Sequence, residues 1–245
     1  MPRYKLVIEY DGGPFSGWQR QLNGPSVQQS VEEAVEAFCG HPVRLHCAGR
    51  TDAGVHATHQ VAHVELEREW RTDVVRDASN ARLKRLPVAV LSAEAVPDSF
   101  DARISAKRRY YIYRILDRRA QPALDAGRVW HVPVRLDHEA MDRAAKALLG
   151  HHDFTTFRAA ECQANSPLRT LDRLDCRREG AEIVVYAHAR SFLHHQVRSM
   201  VGCLKMVGMG RWPENKVGKV LAARDRSQCA ALAPPCGLYL DGVDY

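Results

Sequence analysis

The 245-residue chain has no apolar run near the 18 or so residues that a membrane-spanning helix needs. Its opening, MPRYKLVIEYDGG, has no apolar signal core ahead of a cleavage site. A membrane span and a secretory leader are therefore not expected. Its seven cysteines, Cys39, Cys47, Cys162, Cys176, Cys203, Cys229 and Cys236, are scattered and odd in number, with no C-x-x-C pair. That spacing excludes a zinc knuckle and a disulfide framework, and predicts reduced thiols in a cytoplasmic protein. Neither low hydrophobicity nor extreme charge is present: 45% of residues are apolar and 26% charged, which excludes a disordered chain. The formal net charge of +6 leans toward a polyanionic partner such as nucleic acid.

The patterning is that of an α+β protein with mostly antiparallel sheets and helices packed on one side. YKLVIEY (4–10) reads as a strand ended by the turn signal DGGP. In the helix that follows, Ser26 and Gln29 have capping-box spacing, Val27, Val31, Ala34, Val35 and Phe38 recur on one face, and Gly40 ends it. Strands are expected near VRLHCA (43–48), in the alternating HQVAHVELE (59–67), in VAVLSAEAV (88–96) and in RRYYIYRIL (108–116). Helices are expected over 74–84, over 136–149 and over 193–207, with another opening at Pro213. Residues 171–189 read as a hairpin turning at Glu179-Gly180. One domain boundary falls near Ser105, dividing the chain into 1–105 and 106–245.

Three places could carry chemistry. GRTDAGVHA (49–57) sets Arg50, Thr51, Asp52 and His56 among glycines and alanines. An Asp shortly before a Gly often only shapes a turn, but that leaves the density of polar groups unexplained. AKRRYYIYRILDRR (106–119) surrounds Tyr110, Tyr111 and Tyr113 with basic side chains, suited either to phosphates and stacked bases or to an edge strand with snorkelling arginines. In strand geometry Arg109, Tyr111 and Tyr113 share one face. Arg198 lies in the apolar run SFLHHQVRSMVGCL (191–204), where a buried charge needs a partner; Asp52 is one candidate, and a solvent-facing position is the alternative. No metal is expected. His59 and His63 on one strand stand roughly 13 Å apart at about 3.3 Å per residue, and neighbours such as His194 and His195 point apart in regular backbone.

Taken together, GRTDAGVHA, EYDGGPFSGWQRQ (9–21), SVQQSVEEA (26–34), SFDARISAKRRYYIYRI (99–115), HDFTTF (152–157), FLHHQVRSMVG (192–202) and GLYLDGVDY (237–245) resemble, in order, the tRNA pseudouridine synthase A family. The resemblance spans residues 4 to 245. It implies two α/β-type domains, the first carrying the Asp52 loop and the second the tyrosine strand and arginine helix. Their sheets are expected to join into a continuous one beside a central basic cleft. It implies Asp52 as the catalytic aspartate, Arg198 as its basic partner and Tyr111 as the residue that stacks on the target base, with Tyr110 the neighbouring alternative. Arg50 is implied to hold the flipped-out nucleotide, and Lys107, Arg108, Arg109 and Arg169 are expected RNA contacts. The implied reaction turns uridine into pseudouridine in the anticodon stem-loop of tRNA, just 3′ of the anticodon, by a homodimer in the cytoplasm. That isomerisation exchanges no electrons and donates no group, so no cofactor is expected. The rival readings are a tRNA-binding protein without chemistry, a synthase for other RNA positions, and a hydrolase. A hydrolase would ordinarily need a second carboxylate or a metal.

Overall fold

The computed structural model describes residues 1–22 and 24–245. In chain order its elements are β1 (Arg3–Tyr10), α1 (Val27–Cys39), β2 (His46–Cys47), β3 (His56–Glu65), α2 (Thr72–Leu83), β4 (Val88–Val96), β5 (Arg108–Leu116), β6 (Trp130–His131), α3 (His138–Ala145), β7 (Gly150–Asp153), β8 (Leu168–Glu179), β9 (Glu182–Ala189), α4 (Gln196–Gly208), α5 (Lys216–Ala223) and β10 (Leu238–Asp244). Among the described residues the chain is thus α+β. The residues group into two compact units, Met1–Lys107 with Tyr239–Tyr245, and Arg108–Leu238.

In the first unit β1 lies between β3 and β4 and is antiparallel to both. β2 runs antiparallel to β3, while β10 pairs with it in parallel, Tyr239 opposite His56. β1 alternates as its sequence predicts, burying Tyr4, Leu6, Ile8 and Tyr10. β3 does not alternate: Gln60 to Val64 are buried in succession. The reason is a second small core of Ala48, Val61 and Ala102, with Val7, Phe100, Val243 and Tyr245 packed against it. α1 matches its expected cap, since the Ser26 hydroxyl accepts from Gln29 N–H at 3.3 Å and Gly40 closes the helix at φ 83°. The reciprocal half of a capping box is not made, because the Gln29 side chain turns to Glu33 instead. α1 packs on α2, and α2 on β4.

In the second unit the strand order is β5-β9-β8-β7, antiparallel throughout, with β6 added in parallel to β5. α3 packs on β8 and α4. The hairpin turn lies one residue later than expected: Glu179 and Glu182 are a closing pair, so Gly180 and Ala181 make the turn, with Gly180 at φ 58°. α3 begins at an Asp137 cap bonded to Ala140 N–H (2.9 Å) and gives way after Ala145 to a 3₁₀ turn over Lys146–Leu148. Pro213 precedes α5 rather than opening it, its carbonyl accepting from Lys216 N–H at 2.9 Å. A buried ion pair fastens this unit. The Asp117 carboxylate takes two 2.7 Å hydrogen bonds from Arg178 on β8 and one of 2.9 Å from Leu136 N–H, joining the end of β5 to β8 and to the approach to α3.

Candidate active site

Asp52 sits in the loop between β2 and β3, and its main chain is tied on several sides. Ala48 N–H donates to Val61 O (2.8 Å), and the buried Gln60 amide donates to Gly49 O (2.7 Å). Thr51 is buried, its hydroxyl 2.7 Å from the Tyr10 hydroxyl, and its carbonyl accepts from Trp18 N–H at 3.0 Å. Asp52 O in turn accepts from Val55 N–H at 3.1 Å. Residues 11–18 close over this loop at very short range. A Cβ on Gly12 would stand 2.0 Å from Val55 O, and one on Gly17, which is at φ +99°, 2.7 Å from Thr51 O. Only glycine permits that approach. Gly12 N–H also donates to Nδ1 of His56, a buried ring stacked on Tyr239 at 4.7 Å. The result is a rigid backbone under a half-buried aspartate, with Arg50 exposed two residues before it.

The residues that build this support carry no chemical signature in the sequence. In the sequence Tyr10 and Gln60 stand in strand runs, and Gly17 follows the DGGP turn. The local signal is Gly12, which stands in the DGGP turn, and Gly17 just beyond it; both are there for clearance.

In the second unit Arg109, Tyr111, Tyr113 and Ile115 form the buried face of β5, as strand alternation predicts. Tyr111 lies opposite Ala187 of β9, with its ring edge-on to Phe192 at 5.2 Å. Tyr110 is on the other face, edge-on to His188. The Tyr113 hydroxyl donates to Pro234 O at 2.7 Å, and burial pushes its phenol pKa up. Arg198 lies in the first turn of α4 and is only 9% exposed, which rules out a position on a solvated helix face. Its Nε donates to Ala233 O at 2.8 Å, so the segment holding Tyr113 also orients this guanidinium. α4 is entered through His195 at φ 65°, a left-handed residue. The expectation that His194 and His195 point apart assumed regular backbone; at this bend their rings lie 4.0 Å from each other.

The basic residues expected at RNA divide by exposure. Arg50, Lys107 and Arg108 are exposed, Arg108 with Asp172 at 3.3 Å. Arg109 is buried and donates to Arg190 O. Arg169 is half-buried and donates to Ser166 O (3.0 Å) and Leu168 O (2.6 Å), and burial lowers its pKa.

Known proteins place this chain among enzymes. The sequence model described as tRNA pseudouridine synthase matches residues 6–104 and 144–245. A tRNA pseudouridine synthase A from Methylobacterium sp. (strain 4-46) is 64% identical over 245 residues, covering all of this chain and 98% of the relative. Others of that name, from Mesorhizobium japonicum and Xanthobacter autotrophicus, are 62% and 60% identical, again over the whole of both chains. A family match over most of the sequence and full-length identities of this size leave one conclusion: the chain belongs to the tRNA pseudouridine synthase family of isomerases.

Proposed function

We propose that this protein isomerises uridine to pseudouridine in the anticodon stem-loop of tRNA, with Asp52 as the nucleophile or base that acts on a flipped-out uridine. The observation that carries the reading is the contrast at Asp52: a backbone fixed by Thr51, Trp18 and Val55 beneath an aspartate that is only half-buried. Catalysis by a positioned group needs that combination, because misplacement by about 1 Å can cost about 100-fold in rate. The reaction breaks the N1–C1′ bond and joins C1′ to C5; the C5 proton goes to solvent and N1 gains one. A carboxylate can serve as the covalent or basic partner without redox or group transfer.

Arg198 is the proposed basic partner of Asp52. Its burial and its bond to Ala233 support a fixed guanidinium, and a positive charge favours the ionised form of a carboxylate where water is excluded. Tyr111 is the proposed stacking residue for the displaced base; it offsets part of the few kcal/mol that unstacking costs, at about 1–3 kcal/mol per stacked base. Arg50 is proposed to hold the flipped nucleotide, with Lys107, Arg108, Arg109 and Arg169 on the RNA. Exposure supports Lys107 and Arg108 in direct phosphate contact. The bonds of Arg109 and Arg169 to main-chain carbonyls support a role in shaping the strands that present the others. By the same family likeness the working form is proposed to be a cytoplasmic homodimer.

The test uses tRNA transcripts carrying tritium at uridine C5, with EDTA present. Wild-type protein should release tritium to water, and Asp52→Ala should bind the same tRNA with similar affinity and release none. Mapping the product positions tests the anticodon stem-loop. Release by Asp52→Ala at the wild-type rate would remove Asp52 from the mechanism.

A further inference from the structure

Two thiols that the reaction does not use meet in the second unit. Cys203, midway along α4, is fully buried, whereas Cys229 follows the 3₁₀ turn Arg226–Gln228 and is partly exposed. Their sulfurs lie 3.5 Å apart. The Cys203 sulfur also accepts from Ala230 N–H at 3.4 Å, and the Cys229 thiol lies 3.8 Å from Ser199 O. Arg226, donating to Ser199 Oγ (3.0 Å) and Thr156 O (3.3 Å), stands beside Cys229. A hydrogen bond from the Cys203 thiol and the positive charge of Arg226 hold the Cys229 pKa below its ordinary range against the opposing effect of burial. The same contact, together with burial, raises that of Cys203. One sulfur is therefore accessible and disposed to ionise, and the other is shielded and adjacent. Redox-responsive pairs have that asymmetry, since the thiolate is the nucleophile and a neighbouring thiol resolves its oxidised form. A disulfide needs the sulfurs to approach to about 2.05 Å, and the loop that carries Cys229 forms one side of the contact.

We propose that Cys229 is a hydroperoxide-reactive thiol and Cys203 its resolving partner, so that peroxide converts the pair into a disulfide. The Cys229 thiolate attacks one peroxide oxygen; the O–O bond breaks, an S–OH forms, and the departing oxygen takes a proton and leaves as water or alcohol. The Cys203 sulfur then attacks the sulfenic sulfur. The S–S bond forms, the S–O bond breaks, and hydroxide leaves with the Cys203 proton as water. The two sulfurs together lose two electrons, and the peroxide gains them. The new bond ties residues 229–233 to the helix of Arg198, whose Nε already donates to Ala233 O.

The test treats the reduced full-length protein with about one equivalent of hydrogen peroxide, caps remaining thiols with iodoacetamide, digests without reductant and maps peptides by mass. The expected product is a Cys203–Cys229 cross-link, with the intact mass lower by two hydrogens. In Cys203→Ala the oxidation should stop at sulfenic acid, captured by dimedone on Cys229. The proposal fails if the wild-type protein yields no cross-link while Cys229 is capped in full. It also fails if Cys39, Cys47, Cys162 or Cys236 is oxidised ahead of Cys229. The wild-type arm does not depend on how well any variant folds, and none of these outcomes touches the assignment of Asp52.

Discussion

Replacing Gly17 by alanine should damage catalysis through a residue that need not meet RNA. Gly17 is at φ +99°, a conformation side chains rarely adopt, and its Cβ position is 2.7 Å from Thr51 O and 3.1 Å from both Ala53 N and the Asp52 carbonyl carbon. All three are backbone atoms of the aspartate loop, so no flexible side chain can yield. Strain in such a conformation costs about 1–3 kcal/mol. Reaching an ordinary contact of 3.4 Å means that the two segments part by about 0.7 Å, next to the Trp18 N–H to Thr51 O bond. With about 100-fold lost per 1 Å of misplacement, single-turnover tritium release should fall roughly 10- to 100-fold. The melting temperature should fall by roughly 4–12 °C for about 2–3 kcal/mol. tRNA affinity, measured by filter binding, should change little. Gly13→Ala is the matched control: its Cβ meets only the Asp11 side chain, at 3.1 Å, and the expected change is within about 0.5 kcal/mol. Turnover by Gly17→Ala within twofold of wild type would refute the claim that this contact fixes the reacting carboxylate.

Thr51→Val removes the buried 2.7 Å hydrogen bond to Tyr10 while keeping the shape of the side chain, and should cost about 1–3 kcal/mol in denaturant unfolding with a parallel loss of turnover. Burial pushes the Asp117 carboxyl up, but the Arg178 hydrogen bonds, the Leu136 N–H and the charge of Arg135 outweigh it and hold its pKa below the ordinary value. A depressed folded-state pKa stabilises above the unfolded value of about 3.9, and the stabilisation is lost as pH falls through the folded value. Asp117→Asn should therefore cost about 3–5 kcal/mol at neutral pH, and the gap to wild type should narrow in urea titrations below about pH 4. Equal costs at pH 7 and pH 2 would refute that assignment. Binding of tRNA should weaken linearly in log–log plots against salt, and Arg108→Ala should lower the slope by about 1. An unchanged slope would take Arg108 off the phosphates.

Much of the fold was legible because its signals are local. The strand 88–96 has its predicted limits, and α1 has the cap, apolar face and terminating glycine read from its sequence. β5 presents Arg109, Tyr111 and Tyr113 on one face, as a period of two requires. What was missed depends on residues distant in sequence. β6 and β7 are too short to show a period, and β10 gains its place by pairing with β3 some 180 residues earlier. The continuous burial of β3 reflects Phe100, Ala102, Val243 and Tyr245 gathered around Val61, which no alternation within β3 could announce.

The aspartate loop shows the same division at the scale of single atoms. The crowding of polar residues in GRTDAGVHA suggests chemistry, yet the Thr51 hydroxyl and the Gly49 carbonyl are used to hold the loop. The scaffold accounts for Thr51 and His56, and Asp52 is the residue it presents. Glycines carry the corresponding ambiguity. Gly40 and Gly17 both have positive φ, though the sequence pattern marks only Gly40 as a terminator. A Cβ on Gly40 would meet nothing within 4 Å, so its glycine serves the turn alone, whereas a Cβ on Gly17 would press on the backbone beside Asp52. Asparagine, which tolerates the left-handed region, should therefore replace Gly40 at little cost and Gly17 only with loss of turnover. The difference lies in a partner more than thirty residues away, and that is information a local pattern does not contain.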